Sequence, residues 1–586
     1  MLGASVQGNR TEFRVWAPNA QRVTLRLQRP QTCPEDLPMA RLPNGEFHLT
    51  VDAAAGDKYF YLLDDDPLQL PDPVSRFLPD GVHGATEIVD AGAFLWTDHG
   101  WHGIPYRDYI IYELHIGTFT PEGTFDSAIA KLDYLKDLGV TTVELMPVNA
   151  FPGRRNWGYD GVSLYAVQES YGGPEALKRF VNAAHEKGLA IVLDVVYNHL
   201  GNEGNYLSKF GPYRTNKHTT PWGDAINFDD RGCRQVREYV IENALYWARE
   251  YHIDGLRMDA VHAIKDDSPT HVIAELRDRV QQFATEAGRE ITLVAESDEN
   301  SPRYVRAREN GGYGVNGVWS DDFHHAIHTL FTGEHEGYYQ DYGDLMQLVK
   351  AINEGFVFQG QTFKFWNKPR GEKPGDMPPE AHVICIQNHD QVGNRALGER
   401  LTSLVPRPIR KLMAALLLLA PETPLIWMGQ EYDERNPFQF FTDYGDPVLQ
   451  KAVSEGRRNE FKDFKSFGSE IPDPQDPATF ERSKLDWQHT TEQREMFEWY
   501  RQLIHLRRKL YDSEPRTAKA SAPNPGTIEV RLPAENPRAI LRVEWSGPAE
   551  RQGGAWPLLL SSGDEDGRVE IFAAPAVADD LKRLCA

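Results

Sequence analysis

Eight short, nearly continuous apolar runs alternate with amphipathic helical stretches through the middle of the chain. Runs of this kind are typical of parallel strands whose two faces are both covered. Eight such strands with helices between them predict an α/β fold of the (β/α)8 TIM-barrel type rather than an open sheet. The runs lie at 108–117, 141–148, 190–199, 255–261, 292–296, 317–323, 382–390 and 423–431.

The sequence on either side of this region has a different periodicity. Residues 1–98 alternate apolar and polar positions between turn signals, as in TEFRVWAPNA, and predict an N-terminal antiparallel β-sandwich domain. The Pro-rich stretch LPDPVSRFLPDGVHG leads to its boundary with the barrel, 99–512. Short runs such as TIEVRLP predict a C-terminal antiparallel β domain over 513–586.

Charge and composition exclude several classes of protein. The chain has 86 acidic and 63 basic residues, a net charge of -23, which argues against nucleic acid or an anionic membrane as partner. Its most apolar run, 412–420, is shorter than the ~20 residues of a membrane span, and no signal peptide is evident. Four widely spaced cysteines predict reduced thiols in a cytoplasmic protein.

Acidic residues stand at the ends of four predicted strands. A single Asp at a strand end commonly caps the following helix. The carboxyl ends of the strands converge on one face of a barrel, however, so acidic residues at four strand ends together favour a shared pocket. Neighbouring carboxylates raise each other's pKa, so one of them can stay protonated and act as an acid. In glycoside hydrolysis such an acid protonates the leaving oxygen, while an ionised carboxylate attacks the sugar or stabilises its cation. The strand-end residues are Asp194, His199, Arg257, Asp259, Glu296, His389 and Asp390.

Four segments carry a family resemblance: DVVYNH (194–199), GLRMDAVHA (255–263), VAE (294–296) and QNHDQ (387–391). In order and position they resemble the signature segments of the α-amylase superfamily of retaining glycosidases and transglycosylases. The resemblance implies that Asp259 is the nucleophile, Glu296 the general acid/base and Asp390 the residue that holds the 2- and 3-hydroxyls of the sugar. The carboxyls of Asp259 and Glu296 would then lie about 5–5.5 Å apart, as in retaining enzymes.

The same resemblance implies roles in binding. Arg257 would hold the nucleophile ionised and oriented, and His199 and His389 would donate hydrogen bonds to sugar hydroxyls. Tyr159, in NWGYDG, would be the aromatic platform under the sugar that loses its bond, although a Tyr after Gly in a loop is often only packing. Asp194 would organise the loop after the third strand.

The surroundings of these residues distinguish between related families. The segment FRVWAPNA resembles the module that precedes the barrel in branching enzymes, isoamylase-type debranching enzymes and maltooligosyltrehalose trehalohydrolases. The segments ESDEN, NHDQVGNR and FFTDYGDP favour the last family, and His262 and Ala263 stand where ordinary α-amylases have a Lys-His pair. A branching or debranching enzyme is the nearest rival, and a catalytically inactive glucan-binding protein is a rival of another class.

The implied reaction is hydrolysis of the α-1,4 bond next to the terminal trehalose of a maltooligosyltrehalose, downstream of the synthase that forms this substrate. We expect neither cofactor nor metal, because His324 and His325, if they lie on a strand, point to opposite faces. Loops after strands six and eight would enclose the trehalose. Candidates for holding it are His262, Asp433, Glu434, Phe440 and Asp443.

Overall fold

A closed barrel of eight parallel strands forms the centre of the molecule and confirms the predicted fold class. The computed structural model describes residues 2–461, 471–512, 516–545, 556–563 and 566–585. The eighth strand closes the ring by pairing Leu425 with Ile111 of the first. In chain order the strands are Ile111–Leu114, Thr142–Leu145, Ala190–Val195, Gly255–Met258, Thr292–Ala295, Gly317–Trp319, His382–Cys385 and Thr423–Trp427.

Helices cover the outside of the barrel. The most apolar of them, Arg407–Leu419, buries every side chain from Leu412 onwards. The other long helices are Gly173–Glu186, Cys233–Glu250, Val272–Ala287, Asp321–Thr332, Leu345–Glu354, Pro447–Glu460 and Thr491–Leu510, and the shorter ones are Ile116–Phe119, Phe125–Ile129, Leu132–Leu138, Leu207–Phe210, His389–Gly393, Leu401–Leu404 and Pro477–Arg482. Among the described residues, no helix has both the length and the apolar character that crossing a membrane requires.

The inside of the barrel is apolar at one end and polar at the other. Its apolar end is a buried cluster of Tyr109, Ile111, Val192, Val294, Trp319, Val383, Cys385 and Leu425. Side chains two residues apart on a strand share a face. Ile111 is therefore followed inside the barrel by Glu113, Val192 by Asp194, and Val294 by Glu296. This alternation brings acidic groups to the carboxyl ends of the strands.

Long segments after the second, third, sixth and eighth strands lie over that polar end. Each of the first three contains a small two-stranded sheet. The pairs are Asn149–Ala150 with Ser163–Val167, Arg214–Thr220 with Gly223–Ile226, and Thr362–Phe363 with Lys368–Pro369.

The N-terminal region forms two four-stranded antiparallel sheets, as the predicted β-sandwich requires. Phe13 and Tyr59, from different sheets, meet with ring centres 4.9 Å apart. One sheet has the order Gly3–Gln7, Arg10–Trp16, Glu46–Val51, Ala40–Arg41, and the other Glu35–Pro38, Val23–Gln28, Lys58–Leu63, Thr86–Glu87.

The C-terminal region is a five-stranded antiparallel sheet followed by a helix, Ala578–Cys585, which confirms the predicted class of this domain. The predicted boundary at residue 513 lies within 513–515, outside the described residues. The predicted limits of the three domains, 1–98, 99–512 and 513–586, stay predictions. The sheet order is Lys519–Asn524, Thr527–Leu532, Ala539–Glu544, Arg568–Ala573, Leu558–Gly563.

The sixth barrel strand is shorter than predicted, because a helix begins directly after it. The strand ends at Trp319, and Asp321 and Asp322 lie in the first turn of the helix, where acidic side chains favour the helix N-terminus. His324 and His325 therefore lie on a helix, with their Nδ1 atoms 3.3 Å apart. We expected the two histidines not to share a metal because they would point to opposite faces of a strand, and this reason was wrong. The expectation that the protein needs no metal stays a prediction.

Candidate active site

Arg257 is fully buried at the polar end of the barrel and connects three acidic residues. Its Nη1 donates to both carboxylate oxygens of Asp194, at 2.8 and 2.7 Å, and to Oδ1 of Asp259 at 2.8 Å. Its Nη2 lies 3.9 Å from Oε2 of Glu296. The guanidinium also lies 4.4 Å from the ring centre of Trp319. The third, fourth and fifth strand ends thus converge on one cation.

Asp259 is held from two sides. Arg257 binds Oδ1, and the side-chain amide of Asn198 donates to Oδ2 at 2.7 Å and to the Asp259 carbonyl oxygen at 2.7 Å. These contacts fix the direction of the carboxylate and leave lone pairs free on both oxygens. Asn198 was not among the predicted site residues, since an Asn beside His199 gave no separate signal.

Glu296 is a largely buried carboxyl whose Oε2 accepts a hydrogen bond of 2.6 Å from the backbone N–H of Ala260. Burial raises the pKa of Glu296 well above its usual range. The charge of Arg257 opposes this shift, and the charge of Asp259 adds to it. The environment therefore favours a protonated Glu296 beside the carboxylate of Asp259.

The end of the seventh strand places His389 and Asp390 on the other side of the site. His389 is buried, and its Nδ1 lies 2.5 Å from Oε1 of Glu113. Its Nε2 lies 2.8 Å from the hydroxyl of Tyr159 and 3.4 Å from Oδ2 of Asp390. Asp390 is the most open of the predicted acids, with 41% of its side chain exposed. Glu113 was missed, although an acid within an apolar run is itself a signal.

Tyr159 joins the third and seventh strand ends. Its hydroxyl donates to Oδ2 of Asp194 at 2.6 Å, and its ring stacks on His389 with centres 5.2 Å apart. Burial raises the pKa of Tyr159 well above its usual range, so the phenol stays protonated. The ring is half-buried, and its predicted role as a sugar platform stays a prediction.

His199 lies at the rim of the site next to an exposed tryptophan. Its Nε2 is 3.1 Å from the carbonyl oxygen of Tyr159, and its Nδ1 contacts Oδ1 of Asn198. Trp222 stacks on the imidazole with ring centres 4.3 Å apart and remains 46% exposed. Trp222 was not predicted, and its only signal is an aromatic residue in the long loop after the third strand. The predicted sugar contacts of His199 and His389 stay predictions.

A cavity of about 190 Å³ opens beside Asp390. Three of its aromatic rings, Phe363, Phe365 and Trp366, come from the long segment after the sixth strand. Burial raises the pKa of Asp321, in its wall, to about 7. From the sequence we predicted that the loop after the sixth strand encloses the trehalose, but we did not predict that Asp321 or these three aromatic residues line a cavity. The lining comprises Asp298, Asp321, His325, Tyr338, Phe363, Phe365, Trp366, Arg370, Asp390, Gln391 and Asn394.

Two of the predicted trehalose-binding residues lie near the site. Phe440 packs edge-on against Trp157, whose ring centre lies 5.9 Å from that of His389. Asp443 accepts hydrogen bonds from the Arg155 side chain at 2.6 Å and from the Arg154 backbone N–H at 2.8 Å. These contacts fasten the loop after the eighth strand to the loop after the second.

The other three candidates differ in their surroundings. His262 is partly exposed, with its Nδ1 3.7 Å from Asp298 in the cavity wall. Asp433 is bound by both ends of the Arg410 guanidinium, at 2.8 and 2.9 Å. Glu434 is 1% exposed. Its carboxylate accepts four hydrogen bonds, from Tyr432 Oη and from the backbone N–H groups of Arg435, Asn436 and Asp486.

The predicted roles of Asp433 and Glu434 in binding trehalose stay predictions. The four acceptor positions of Glu434 are all used within the protein, and Asp433 is an ion-pair partner of the helix Arg407–Leu419. Both residues stabilise the segment after the eighth strand.

One group of ligand-type side chains lies outside this site. His218, Asp229 and Asp267 bring a nitrogen and carboxylate oxygens within 4.8 Å of one another. Lys217 Nζ is 2.8 Å from the same Asp229 oxygen that contacts His218. Its ammonium already supplies a positive charge, so these contacts form an ion-pair network.

Two family models match the chain. The catalytic domain of α-amylase matches residues 87–222 and 230–512. Carbohydrate-binding module 48, the isoamylase N-terminal domain, matches residues 1–67. Together they cover the N-terminal sheets and the barrel.

Named relatives distinguish the subfamily. Malto-oligosyltrehalose trehalohydrolase of Saccharolobus solfataricus is 46% identical over 87% of this chain and 87% of its own length. That of Mycobacterium tuberculosis is 45% identical over 85% and 86%. A glucan branching enzyme of Pseudoalteromonas atlantica is 33% identical over only 43% of this chain and 38% of its own length, so the branching alternative is less supported.

A solved structure agrees over nearly the whole length. A protein of Salmonella typhimurium, provisionally described as an α-amylase, superposes with a TM-score of 0.89 at 39% identity and covers 98% of this chain and 99% of that one. The chain therefore belongs to the α-amylase family and, within it, to the malto-oligosyltrehalose trehalohydrolases.

Proposed function

We propose that this chain is a retaining glycosidase that hydrolyses the α-1,4 glucosidic bond next to the terminal trehalose of malto-oligosyltrehalose. One observation supports this chemistry. Asp259 and Glu296 both lie beside the buried guanidinium of Arg257, but their environments differ. Arg257 and Asn198 orient the carboxylate of Asp259, and burial favours the protonated form of Glu296. The substrate is supported by the names of the relatives that match most of the chain.

In the first step, an oxygen of Asp259 attacks the anomeric carbon while Glu296 gives its proton to the leaving glycosidic oxygen. The bond between carbon and leaving oxygen breaks, a covalent glycosyl–Asp259 ester forms, and trehalose leaves with the proton. Since Oε2 of Glu296 accepts the Ala260 N–H, Oε1 is the oxygen that carries this proton.

In the second step, the ionised Glu296 removes a proton from a water molecule, and the water oxygen attacks the same carbon. The ester bond to Asp259 breaks, and the malto-oligosaccharide is released with its original anomeric configuration. Glu296 is protonated again, so both residues return to their starting states. This mechanism requires the predicted separation of about 5–5.5 Å between the two carboxyls.

Asp390 would bind the sugar at which the bond breaks. Its carboxylate is open on one side and has Asn394 Nδ2 at 3.2 Å on the other, so it can accept hydrogen bonds from two adjacent sugar hydroxyls. Tyr159 would lie under the same sugar, with its hydroxyl fixed on Asp194. The developing positive charge on the sugar then lies among ionised carboxylates, which stabilise it.

The trehalose would occupy the cavity beside Asp390. The leaving group must lie next to Glu296, because it takes its proton from this residue. Asp298, two residues after Glu296 in the chain, lines the cavity, so the cavity lies on the side of the proton donor. Its aromatic rings offer apolar faces to the two glucose units, and its carboxylates and Arg370 offer hydrogen-bond partners. The segment after the sixth strand would therefore carry most of the preference for trehalose.

The proposed reaction needs a preceding enzyme that converts the reducing end of a glucan into trehalose. Cys33, Cys233 and Cys385 are free thiols, which fits a reaction in the reducing cytoplasm.

Product analysis tests this function. With malto-oligosyltrehalose as substrate, the wild-type chain should release trehalose, and Asp259→Asn should abolish the release. With amylopectin, a branching or debranching enzyme would create or remove α-1,6 branches. Branch changes without trehalose release would overturn the proposal, and turnover by Asp259→Asn would indicate that another residue is the nucleophile.

A further inference from the structure

Two glutamates lie side by side inside the barrel, below the proposed sugar site. Glu113 on the first strand is in register with Glu144 on the second, and each is 1% exposed. The proposed reaction uses neither. Glu113 binds His389 through both carboxylate oxygens, whereas neither oxygen of Glu144 has a hydrogen-bond partner among the described residues.

The hydrogen bonds around His389 determine which of its ring nitrogens carry protons. Tyr159 has one hydroxyl proton, which it gives to Asp194 at 2.6 Å, so its oxygen accepts from Nε2 of His389 at 2.8 Å. Nδ1 lies 2.5 Å from Oε1 of Glu113. Both oxygens of Glu113 face nitrogens of His389, and Oε1 is placed to accept from Nδ1. Both ring nitrogens are then donors, and only the imidazolium cation has two N–H groups.

Glu113 also holds the backbone at this point. Its Oε2 accepts a hydrogen bond of 3.2 Å from the backbone N–H of His389. The next residue is Asp390, the proposed ligand of the sugar hydroxyls. One buried carboxylate therefore contacts both the ring of His389 and the peptide that leads to Asp390.

The charges facing His389 come from five strand ends. The acidic groups are Glu113, Asp194 and Asp390, and the cation is Arg257. Glu144 also lies there, and burial raises its pKa well above the usual range, which favours its neutral form. His115 also faces this ring and is favoured as neutral because burial lowers its pKa to about 4. Burial alone lowers the pKa of His389, but Asp390 and Glu113 raise it to about 9.

We propose that Glu113 is a positioning residue that keeps His389 as an imidazolium cation under the sugar site and fixes the peptide before Asp390. The importance of this arrangement for catalysis rests on the proposed function. With Arg257, His389 then provides a second buried cation among the carboxylates. These two cations face Asp259 and Asp390, while Glu296, whose pKa burial raises, holds the proton that the reaction needs.

Glu113→Gln and Glu144→Gln form a matched pair of variants, because both remove one carboxyl at the same depth of the barrel. In protein carrying 15N-histidine, with His389→Asn to identify the signals, the wild type and Glu144→Gln should show both His389 ring nitrogens protonated at pH 7.5. Glu113→Gln should show one nitrogen without a proton. Glu113→Asp, which restores a carboxylate, should recover the cation.

A neutral His389 ring in the wild type at pH 7.5 would overturn the proposal, and so would a retained cation in Glu113→Gln. This measurement needs no substrate, so its outcome does not depend on whether the chain releases trehalose.

Kinetics provide the second measurement. Relative to wild type, Glu113→Gln should lose about tenfold more kcat at pH 8 than at pH 6, since each unit of pKa changes the protonated fraction tenfold. Glu144→Gln should follow the wild-type pH profile. An equal loss at every pH in Glu113→Gln would indicate a purely structural residue and contradict the proposal.

Discussion

The backbone N–H of Ala260 donates a hydrogen bond of 2.6 Å to Oε2 of Glu296. Ala260 directly follows Asp259 and has a left-handed φ of 40°, a conformation that costs of order 1–3 kcal/mol in residues other than glycine. The turn that carries the proposed nucleophile thus also holds the proposed acid. Motion of this turn would displace both groups together.

Replacing Glu296 by Gln should remove proton donation and leave the nucleophile in place. We expect kcat for malto-oligosyltrehalose to fall by about 10²–10⁴, the usual contribution of general acid–base catalysis. A maltosyl fluoride has a leaving group that needs no proton, so the variant should still form the glycosyl–Asp259 ester from it. Mass spectrometry of the trapped intermediate measures this. The expected control, Asp259→Asn, forms no ester from either substrate, and an ester in that variant would contradict the assignment.

The raised pKa of Glu296 predicts the alkaline side of the pH profile. Protonated Glu296 is the active form, so kcat/KM should fall as pH rises through its pKa. The negative charge of Asp321 helps to raise that pKa, and Asp321 carries this charge only above its own pKa of about 7. Asp321→Asn should therefore move the alkaline fall to lower pH. An unchanged or upward-shifted profile would show that Asp321 does not act on the acid.

The sequence predicted the parts of the site that stand at strand ends. Asp194, Arg257, Asp259 and Glu296 converge because the closure of the barrel brings their strands together, and this follows from strand order alone. The cavity lining could not be predicted in the same way. Phe365 and Trp366 lie in a long segment whose path depends on tertiary contacts, such as the 4.7 Å approach of Arg370 to the ring of Phe363.

The differences between expectation and structure have equally local causes. Asp433 and Glu434 look like strand-end acids in sequence, but their carboxylates are used by Arg410 and by backbone N–H groups of their own segment. The predicted sixth strand extended too far because Ser320, before the helix, does not interrupt an extended pattern. Glu113 was overlooked because a barrel interior is expected to be apolar, and its partner His389 is 276 residues away.

Arg257→Met should destabilise the protein as well as inactivate it. Arg257 is the cation between Asp194 and Asp259, and removing one partner of a buried ion pair typically costs about 3–5 kcal/mol. The free energy of unfolding in urea measures the loss. Arg279→Met is a matched control, because Arg279 is partly exposed and pairs with Glu238 and Glu242 on the surface, where ion pairs contribute about 0–1 kcal/mol. Equal losses in the two variants would contradict the assigned role of the buried pair.

The preference for trehalose can be assigned to one of two loops. If the cavity beside Asp390 holds the trehalose, Trp366→Ala should lower kcat/KM for malto-oligosyltrehalose more than for a plain malto-oligosaccharide of equal length. Phe440→Ala, in the segment after the eighth strand, should lower both similarly, because Phe440 packs on Trp157 and Arg457. The opposite pattern would return the trehalose site to Phe440 and Asp443.

Trp222 is exposed beside His199, and such a ring is suited to stack on a sugar. Trp222→Ala should raise KM for malto-oligosyltrehalose and lower kcat/KM by roughly tenfold, since an aromatic contact is worth about 0.5–1.5 kcal/mol beyond its buried area. Trp222→Phe keeps a ring and should recover most of this loss. Because His199 contacts Tyr159 and Asn198 through its own nitrogens, the site beneath should stay intact and kcat should change little. A fall in kcat with an unchanged KM would show instead that Trp222 supports the position of His199 rather than binding the glucan.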